Sequence, residues 1–425
     1  MNDNKEHYTS NYMISFDKAR ELIGANCTPI KNEQLTLAEA SGRILSEDIN
    51  SPISVPTFDN SAMDGYAVNA SDLLTATKEH PVSLKLIGLT AAGDNIAMVK
   101  NNTQSAWKIM TGAPVPNGFD SIISVENTKL IETASEKSVM CFSSPKRGAH
   151  IRTSGEDFII GDIVLRKNML LNANRIMALA SLGVANVKVK KRPRIAVFST
   201  GKELVNDLQQ ALSPGQIYNS NMPYILDYLK SLPVITHNAG TNYDQADLYK
   251  QALQKELDSG ANIIISTGAV SMGDFDFIPP TVLEMGAKII FHKNKIRPGK
   301  PILFAIFPNG SYYFGLPGNP ISATIGLRFF VTYLISIMLE LPAENPLQAR
   351  LAGTINKKKG FRTFLKAHVQ SNSKASVFAD IMQGQESFKI HPLIDSNAWV
   401  VLGEELENIE RDTLVDYYQS NLNLG

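Results

Sequence analysis

The run Thr267-Gly268-Ala269-Val270-Ser271-Met272-Gly273-Asp274-Phe275-Asp276 sets two carboxylates, Asp274 and Asp276, beside a glycine-bearing loop. That donor pair suits Mg²⁺ held with a phosphate ligand, because Mg²⁺ favours one or two carboxylates plus phosphate oxygens and water. A like cluster, Ser199-Thr200-Gly201-Lys202-Glu203-Leu204, follows another apolar run. Its small residues let backbone N–H groups approach an anion, and Ser199 and Thr200 add hydroxyl donors; a plain strand-to-helix turn fits as well. A third cluster, Leu316-Pro317-Gly318-Asn319-Pro320-Ile321-Ser322, joins a strand to a helix. Asn319 suits its cap and Pro320 its first turn, leaving exposed N–H groups as an anion site. The basic stretch Lys293-Asn294-Lys295-Ile296-Arg297-Pro298-Gly299-Lys300-Pro301 is either a solvated face or a rigid cationic loop for a small polyanion. Near the start, Phe58-Asp59-Asn60-Ser61-Ala62-Met63-Asp64-Gly65-Tyr66-Ala67-Val68 packs two carboxylates, an amide and a hydroxyl ahead of a strand-like Tyr66–Val68. These residue types also make turns for backbone reasons.

The elements around these clusters follow from hydrophobic period. Ser15 to Gly24 is expected to be helical, with Phe16, Ala19, Leu22 and Ile23 on one face, and Leu35 to Ile49 to form a short helix and then an extended segment. Between Tyr66 and Arg152 the strands Val82–Ile87, Ser121–Val125 and Ser138–Phe142 alternate with Gly and Pro turns, which describes an inserted β unit. Asn172 to Gly183 reads as a helix and Ala185 to Val189 as a strand. The charged Lys188, Lys190, Lys191, Arg192 and Arg194 then read as a solvated linker. From Arg194 to Leu341 strands and helices alternate: Arg194–Phe198 and Asn262–Ser266 are largely apolar, as in strands buried on both faces. That alternation predicts a three-layer parallel sheet with ligands at the carboxyl ends of its strands. After Pro342 the pattern is β-like to the end.

Composition narrows the function. The chain has 425 residues, enough for three or four domains, and equal totals of 41 basic and 41 acidic residues. Zero formal charge argues against a general nucleic-acid binder. Cys27 and Cys141 make no metal spacing or disulfide framework, and the polar Asn2–Glu6 start shows no apolar leader, so a cytoplasmic location is expected. Phe329 to Leu341 is shorter than the ~20 residues that span a bilayer and reads as a buried helix. Seven scattered histidines make no metal pattern, and no HExxH, CxxC, GxGxxG or Walker loop occurs.

The clusters above, with Thr111-Gly112-Ala113-Pro114-Val115-Pro116 and Arg152-Thr153-Ser154-Gly155-Glu156-Asp157, resemble in kind and order the signatures of the molybdopterin molybdenumtransferases, the MoeA and gephyrin E-domain family. The resemblance covers nearly the whole chain. It implies a multidomain α/β plus β protein. An elongated, discontinuous N-terminal domain (11–57 and 153–190) carries an inserted β domain (58–152). A three-layer α/β molybdopterin-binding domain (191–341) and a C-terminal β domain (342–425) follow. It also implies a homodimer that receives adenylylated molybdopterin, with the molybdopterin adenylyltransferase as upstream partner. Molybdate is placed on the dithiolene and AMP is released with help from Mg²⁺. A non-inserting scaffold or a related adenylyltransferase is the alternative, and no nucleic acid or membrane is involved.

Residue by residue, the resemblance implies that Asp64 and Thr111 face the α/β domain of the partner subunit, supported by Arg152 and Asp157. Glu203 and Asp244 would sit in strand-end loops, and Asp274, Asp276 and Glu203 would hold the metal and pyrophosphate. Ser199, Thr200, Gly268 and Ser271 would bind the substrate. Lys293, Arg297 and Lys300 would hold molybdate or phosphate, and Pro317, Gly318, Asn319 and Ser322 would line the pterin or phosphate site. Several positions depart from the family pattern: Lys202, Asn219, Ala269, Arg297 and Lys366. The segment Gln385-Glu386-Ser387-Phe388-Lys389-Ile390-His391-Pro392 departs most, standing where Gly and Ser are typical.

Overall fold

The computed structural model describes residues 13–100, 102–242, 245–270 and 277–422. The first helix, Phe16–Asn26, begins where the Ser15 hydroxyl accepts the Lys18 N–H at 3.1 Å, satisfying one of the free donors of the first turn. Its buried face (Phe16, Ala19, Ile23) joins the core of the α/β unit, with the Phe16 and Phe330 rings 5.4 Å apart. This helix therefore ties the start of the chain to the α/β unit.

The outgoing chain then pairs antiparallel with a returning one: Asn32–Thr36 with Asn186–Lys190, Ile49–Asn50 with Ile163–Leu165, and Asn60–Ser61 with Ile151–Arg152. Ala40, Leu45, Leu165, Leu171, Leu179, Val187 and Val189 form the core between them. The helix expected within Leu35–Ile49 is a single 3₁₀ turn, Leu37–Glu39. Gly42, at φ +71°, turns the chain away, and the Leu45 N–H is claimed by the Met169 carbonyl at 2.9 Å. The charged run at 188–194 is not simply solvated. Lys190 is buried and pairs with Glu340, while its carbonyl accepts from Arg43 at 2.8 Å.

Between Asn60–Ser61 and Ile151–Arg152 lies a six-stranded sheet, in the order Ser121–Ser124, Gly65–Val68, Ser105–Ile109, Val82–Thr90, Lys137–Cys141, Thr128–Glu132. Alternation places Tyr66 and Val68 on one core and Ala67 on the other. The expected strands are present, and Ser105–Ile109 and Thr128–Glu132 join them.

The α/β unit is a six-stranded sheet ordered Ile235–Asn242, Arg194–Thr200, Ile263–Thr267, Tyr312–Leu316, Leu303–Ile306, Lys288–Phe291. The first four run parallel. The parallel expectation fails at Leu303–Ile306, which is antiparallel to both neighbours. The short link to Tyr312, closed by Phe307 N–H to the Ser311 carbonyl at 2.9 Å, can make a hairpin but not a crossover. Ile195 and Val197 face helices Asn221–Leu229 and Pro320–Met338, while Ala196 and Phe198 face Ala246–Asp258 and Ile278–Glu284. Pro320–Met338 has a π-helical turn at Leu327–Val331. It is long and apolar enough to cross a membrane, yet 83% of its apolar window is buried inside the protein.

The C-terminal strands Arg362–Ser371, Val377–Ile381, Leu347–Leu351, Leu414–Gln419 and Ala398–Leu402 pair in that order, and the last returns to the first, closing a small barrel. Ile296–Arg297, from the basic loop, adds to it in parallel register with Arg362 and Thr363.

Candidate active site

Three strands of the α/β sheet end side by side at Thr200, Thr267 and Leu316. Gly268 follows the second at φ +91°, and a Cβ there would lie 2.4 Å from the Thr200 carbonyl oxygen. Only glycine fits that approach. Its N–H donates to the Leu316 carbonyl at 3.0 Å, and the Thr200 hydroxyl donates to the Thr267 carbonyl at 3.0 Å. Gly318 lies against it, since a Cβ on Gly318 would come 3.7 Å from the Gly268 Cα. The glycine-bearing loops therefore share one floor, as strand ends of an open α/β sheet are built to do.

One wall is the loop 201–221. The Glu203 carboxylate lies over Gly201, where a Cβ would meet its Oε1 at 2.5 Å. The short parallel pair Leu204–Val205 and Ile217–Tyr218 fixes this loop. Buried Asn219 accepts the Met222 N–H at 3.2 Å and the Ser199 hydroxyl at 3.4 Å, and it donates to Asn206 at 3.0 Å. Asn221 Nδ2 donates to the Gly318 carbonyl at 2.8 Å, tying the wall to the third loop. The result is a cavity of about 730 Å³ lined by Thr200, Gly201, Glu203, Ile217 to Asn221, Thr267 to Ala269, Gly318 to Pro320, Phe388 and Ile390.

Of the residues singled out from sequence, Thr200, Glu203, Gly268, Gly318 and Asn319 line this cavity. Ser199, Pro317 and Ser322 do not; each is buried, and Ser199 holds Asn219 from beneath. The helix N-terminus differs from expectation in two ways. Asn319 takes the N-cap position without a capping hydrogen bond from its side chain, and the Ile321 N–H is donated to the Ser387 carbonyl at 3.0 Å. A C-terminal-domain carbonyl thus occupies the place expected for an anion. Lys293, Arg297 and Lys300 lie outside the lining. Their loop reaches the same helix through Gly299, where a Cβ would lie 3.5 Å from the Ser322 carbonyl. Asp244, Ser271, Asp274 and Asp276 lie outside the described residues.

A second polar group forms on the inserted sheet. The Asp64 carboxylate accepts from the Thr111 N–H at 2.7 Å and the Thr111 hydroxyl at 2.8 Å. The backbone donor first, then the hydroxyl, holds the Asp64 pKa below the ordinary aspartate value. The Ser61 N–H donates to the Ala113 carbonyl at 3.0 Å, and Asp59 accepts the Ser154 N–H at 2.8 Å. Arg152 pairs across from Asn60. Three motifs far apart in sequence (58–68, 111–116 and 152–157) thus meet at one edge. Asp64, Thr111, Arg152 and Asp157 are exposed there and do not line the cavity of their own chain.

The cysteines are poor nucleophiles or ligands at neutral pH: burial pushes Cys27 to about 11 and Cys141 to about 12. Sequence reasoning did not assign Ile217, Tyr218, Ser220, Asn221, Phe388 or Ile390 to the site. The polar Asn219-Ser220-Asn221 before a helix was the available signal for the middle of that set.

The fold and cavity define a class: a multidomain protein built on an α/β domain with a glycine-bearing cavity at its strand ends. Residues 196–336 match a family described as "Probable molybdopterin binding domain". Residues 14–183 match the MoeA N-terminal region (domain I and II), and 348–420 the MoeA C-terminal region (domain IV). The molybdopterin molybdenumtransferase of Haemophilus influenzae is 35% identical over 418 residues, covering 97% of this chain and 100% of that protein. That of Synechococcus elongatus is 33% identical over 394 residues, covering 92% and 95%. A crystal structure of the molybdopterin biosynthesis MoeA protein from Pyrococcus horikoshii superposes with a TM-score of 0.78 at 26% identity, covering 96% of this chain and 99% of that one. The chain belongs to the molybdopterin molybdenumtransferase (MoeA) family.

Proposed function

We propose that this protein inserts molybdate into adenylylated molybdopterin and releases AMP, completing molybdenum cofactor biosynthesis. The observation that carries the reading is the cavity floor of Thr200, Gly268 and Gly318, where Cβ-free backbone at the strand ends leaves room for phosphate oxygens to approach closely. Full-length similarity, the inserted sheet included, favours this over an adenylyltransferase or a scaffold.

The substrate supplies the dithiolene sulfurs, so the protein needs no nucleophile of its own. Its task is to hold two anions together and stabilise charge that shifts between them. The glycine loops bind the pyrophosphate, and Lys293, Arg297 and Lys300 attract molybdate to the neighbouring rim. The divalent cation is assigned by residue type to the carboxylates Glu203, Asp274 and Asp276, oxygen donors of the kind Mg²⁺ prefers; Glu203 lines the cavity, and the two aspartates lie outside the described residues. Bound there, it would polarise the phosphate link. Asp64, kept ionised by Thr111, completes the cleft from the partner subunit of a homodimer, with Arg152 and Asp157 behind it. The molybdopterin adenylyltransferase supplies the substrate, and the setting is the cytoplasm.

The test mixes purified protein with adenylylated molybdopterin, Mg²⁺ and molybdate and follows AMP. Molybdate-dependent AMP release is the expected outcome; none under these conditions removes the proposal.

A further inference from the structure

The C-terminal barrel sends residues 384–390 across to the cavity, and two braces fix their path. Lys366 is 0% exposed, and its ammonium donates to the carbonyls of Gly384 (2.9 Å), Lys389 (3.0 Å) and Glu386 (3.5 Å). The Gln385 side chain accepts the Lys366 N–H at 3.0 Å and donates to the Lys366 carbonyl at 2.9 Å and the Met382 carbonyl at 2.7 Å. An ammonium has three donors. All three point at carbonyls here, so a buried Lys366 has none left for an oxyanion. At the tip, the Ser387 carbonyl takes the Ile321 N–H, and Phe388 and Ile390 are left 63% and 42% exposed in the cavity wall.

The same cavity has two chemistries. Its floor is polar and open, with Cβ-free backbone at Gly268 and Gly318 beside Thr200, Ser220 and Asn221; its wall offers Phe388, Ile390, Ile217 and Tyr218, each more than a third exposed. Molybdate or a bare phosphate gains nothing from an exposed phenyl ring. A ligand that satisfies both parts is anionic at one end and flat and aromatic at the other. We propose that Phe388, with Ile390, Ile217 and Tyr218, grips a heteroaromatic ring of the phosphate-bearing substrate, and that Lys366 is a positioning residue for this grip and not an oxyanion ligand. The inference rests on the reading of the cavity as the adenylylated-pterin site. It assigns ring recognition to the segment 385–392, which the resemblance marks as departing most from the Gly- and Ser-rich family pattern.

The experiment titrates the full-length protein with AMP, with molybdopterin and with inorganic pyrophosphate, which shares the charge but has no ring. Phe388→Ala should weaken AMP or molybdopterin about tenfold, leave pyrophosphate within about twofold, and be rescued by Phe388→Trp. The ligand that weakens identifies the ring. Lys366→Met and Gln385→Ala should show the same ring-selective loss while molybdate affinity stays within about twofold. Equal losses for pyrophosphate, unchanged affinity for both ring-bearing ligands, or a molybdate-selective loss in Lys366→Met overturns the proposal. A wild-type protein that grips AMP through Phe388 yet releases none from adenylylated molybdopterin would sink the proposed reaction while leaving the ring grip standing.

Discussion

The carboxylate of Asp64 is held by neutral donors, both from Thr111, on an exposed edge of the inserted sheet. Its depressed pKa means the stabilisation is fully present above the ordinary aspartate value and is lost as pH falls through the lowered one. At neutral pH the group is therefore an anion, able to position a cation or a donor but not to give up a proton. Replacing Thr111 by Val removes the hydroxyl and keeps the backbone N–H, which is the larger cause. The acid limb of the pH profile for AMP release should then move upward, and the rate at neutral pH should fall about threefold to tenfold. An unmoved acid limb would mean that Asp64 does not titrate in the rate. The pairing was invisible in sequence, because hydrogen bonds between residues 64 and 111 depend on which strands neighbour each other. What sequence did show was the residue types.

At the scale of elements, the strand ends carry the site, and the strands were the most legible part of the chain. Residues 195–198 and 263–265 are apolar because both faces are covered, so the period signal and the burial coincide. The loops after them were legible as glycine-bearing but not as a shared floor. Gly268 shows why: its need for glycine comes from the Thr200 carbonyl on the neighbouring strand. Gly268→Ala should lower stability by about 1–3 kcal/mol in thermal unfolding and cut AMP release by about a hundredfold. Next to it Ala269 already carries a Cβ at φ +49°, so Ala269→Gly should raise stability by about 1 kcal/mol. The misread elements have a common physical origin. The Leu37–Glu39 turn, the antiparallel Leu303–Ile306 strand and the buried Lys190 were each decided by a distant partner that local period and charge do not encode.

For the whole molecule, the two polar groups described above sit on different units, one on the inserted sheet and one on the α/β sheet. The proposed dimer makes a cleft from one of each, contributed by different subunits. Asp64→Asn and Glu203→Gln should each be inactive alone, whereas co-refolded mixtures should recover about a quarter of wild-type AMP release. Half the dimers would be mixed, and each of those would hold one intact cleft. Silence from the mixture would mean that the cleft is built within a single subunit.

The antiparallel ladder between the outgoing strands 32–61 and the returning strands 151–190 also constrains how the chain is made. Asn32–Thr36 leaves the ribosome about 150 residues before its partner strand Asn186–Lys190. The inserted sheet is synthesised in between, and its two ends leave through the adjacent strands Asn60–Ser61 and Ile151–Arg152. Once that sheet closes, it brings those ends together and shortens the search for the remaining rungs. The insert therefore serves as a folding clasp for the stem that carries it, and nascent chains arrested before residue 186 should leave the stem strands open to protease while the sheet is already resistant.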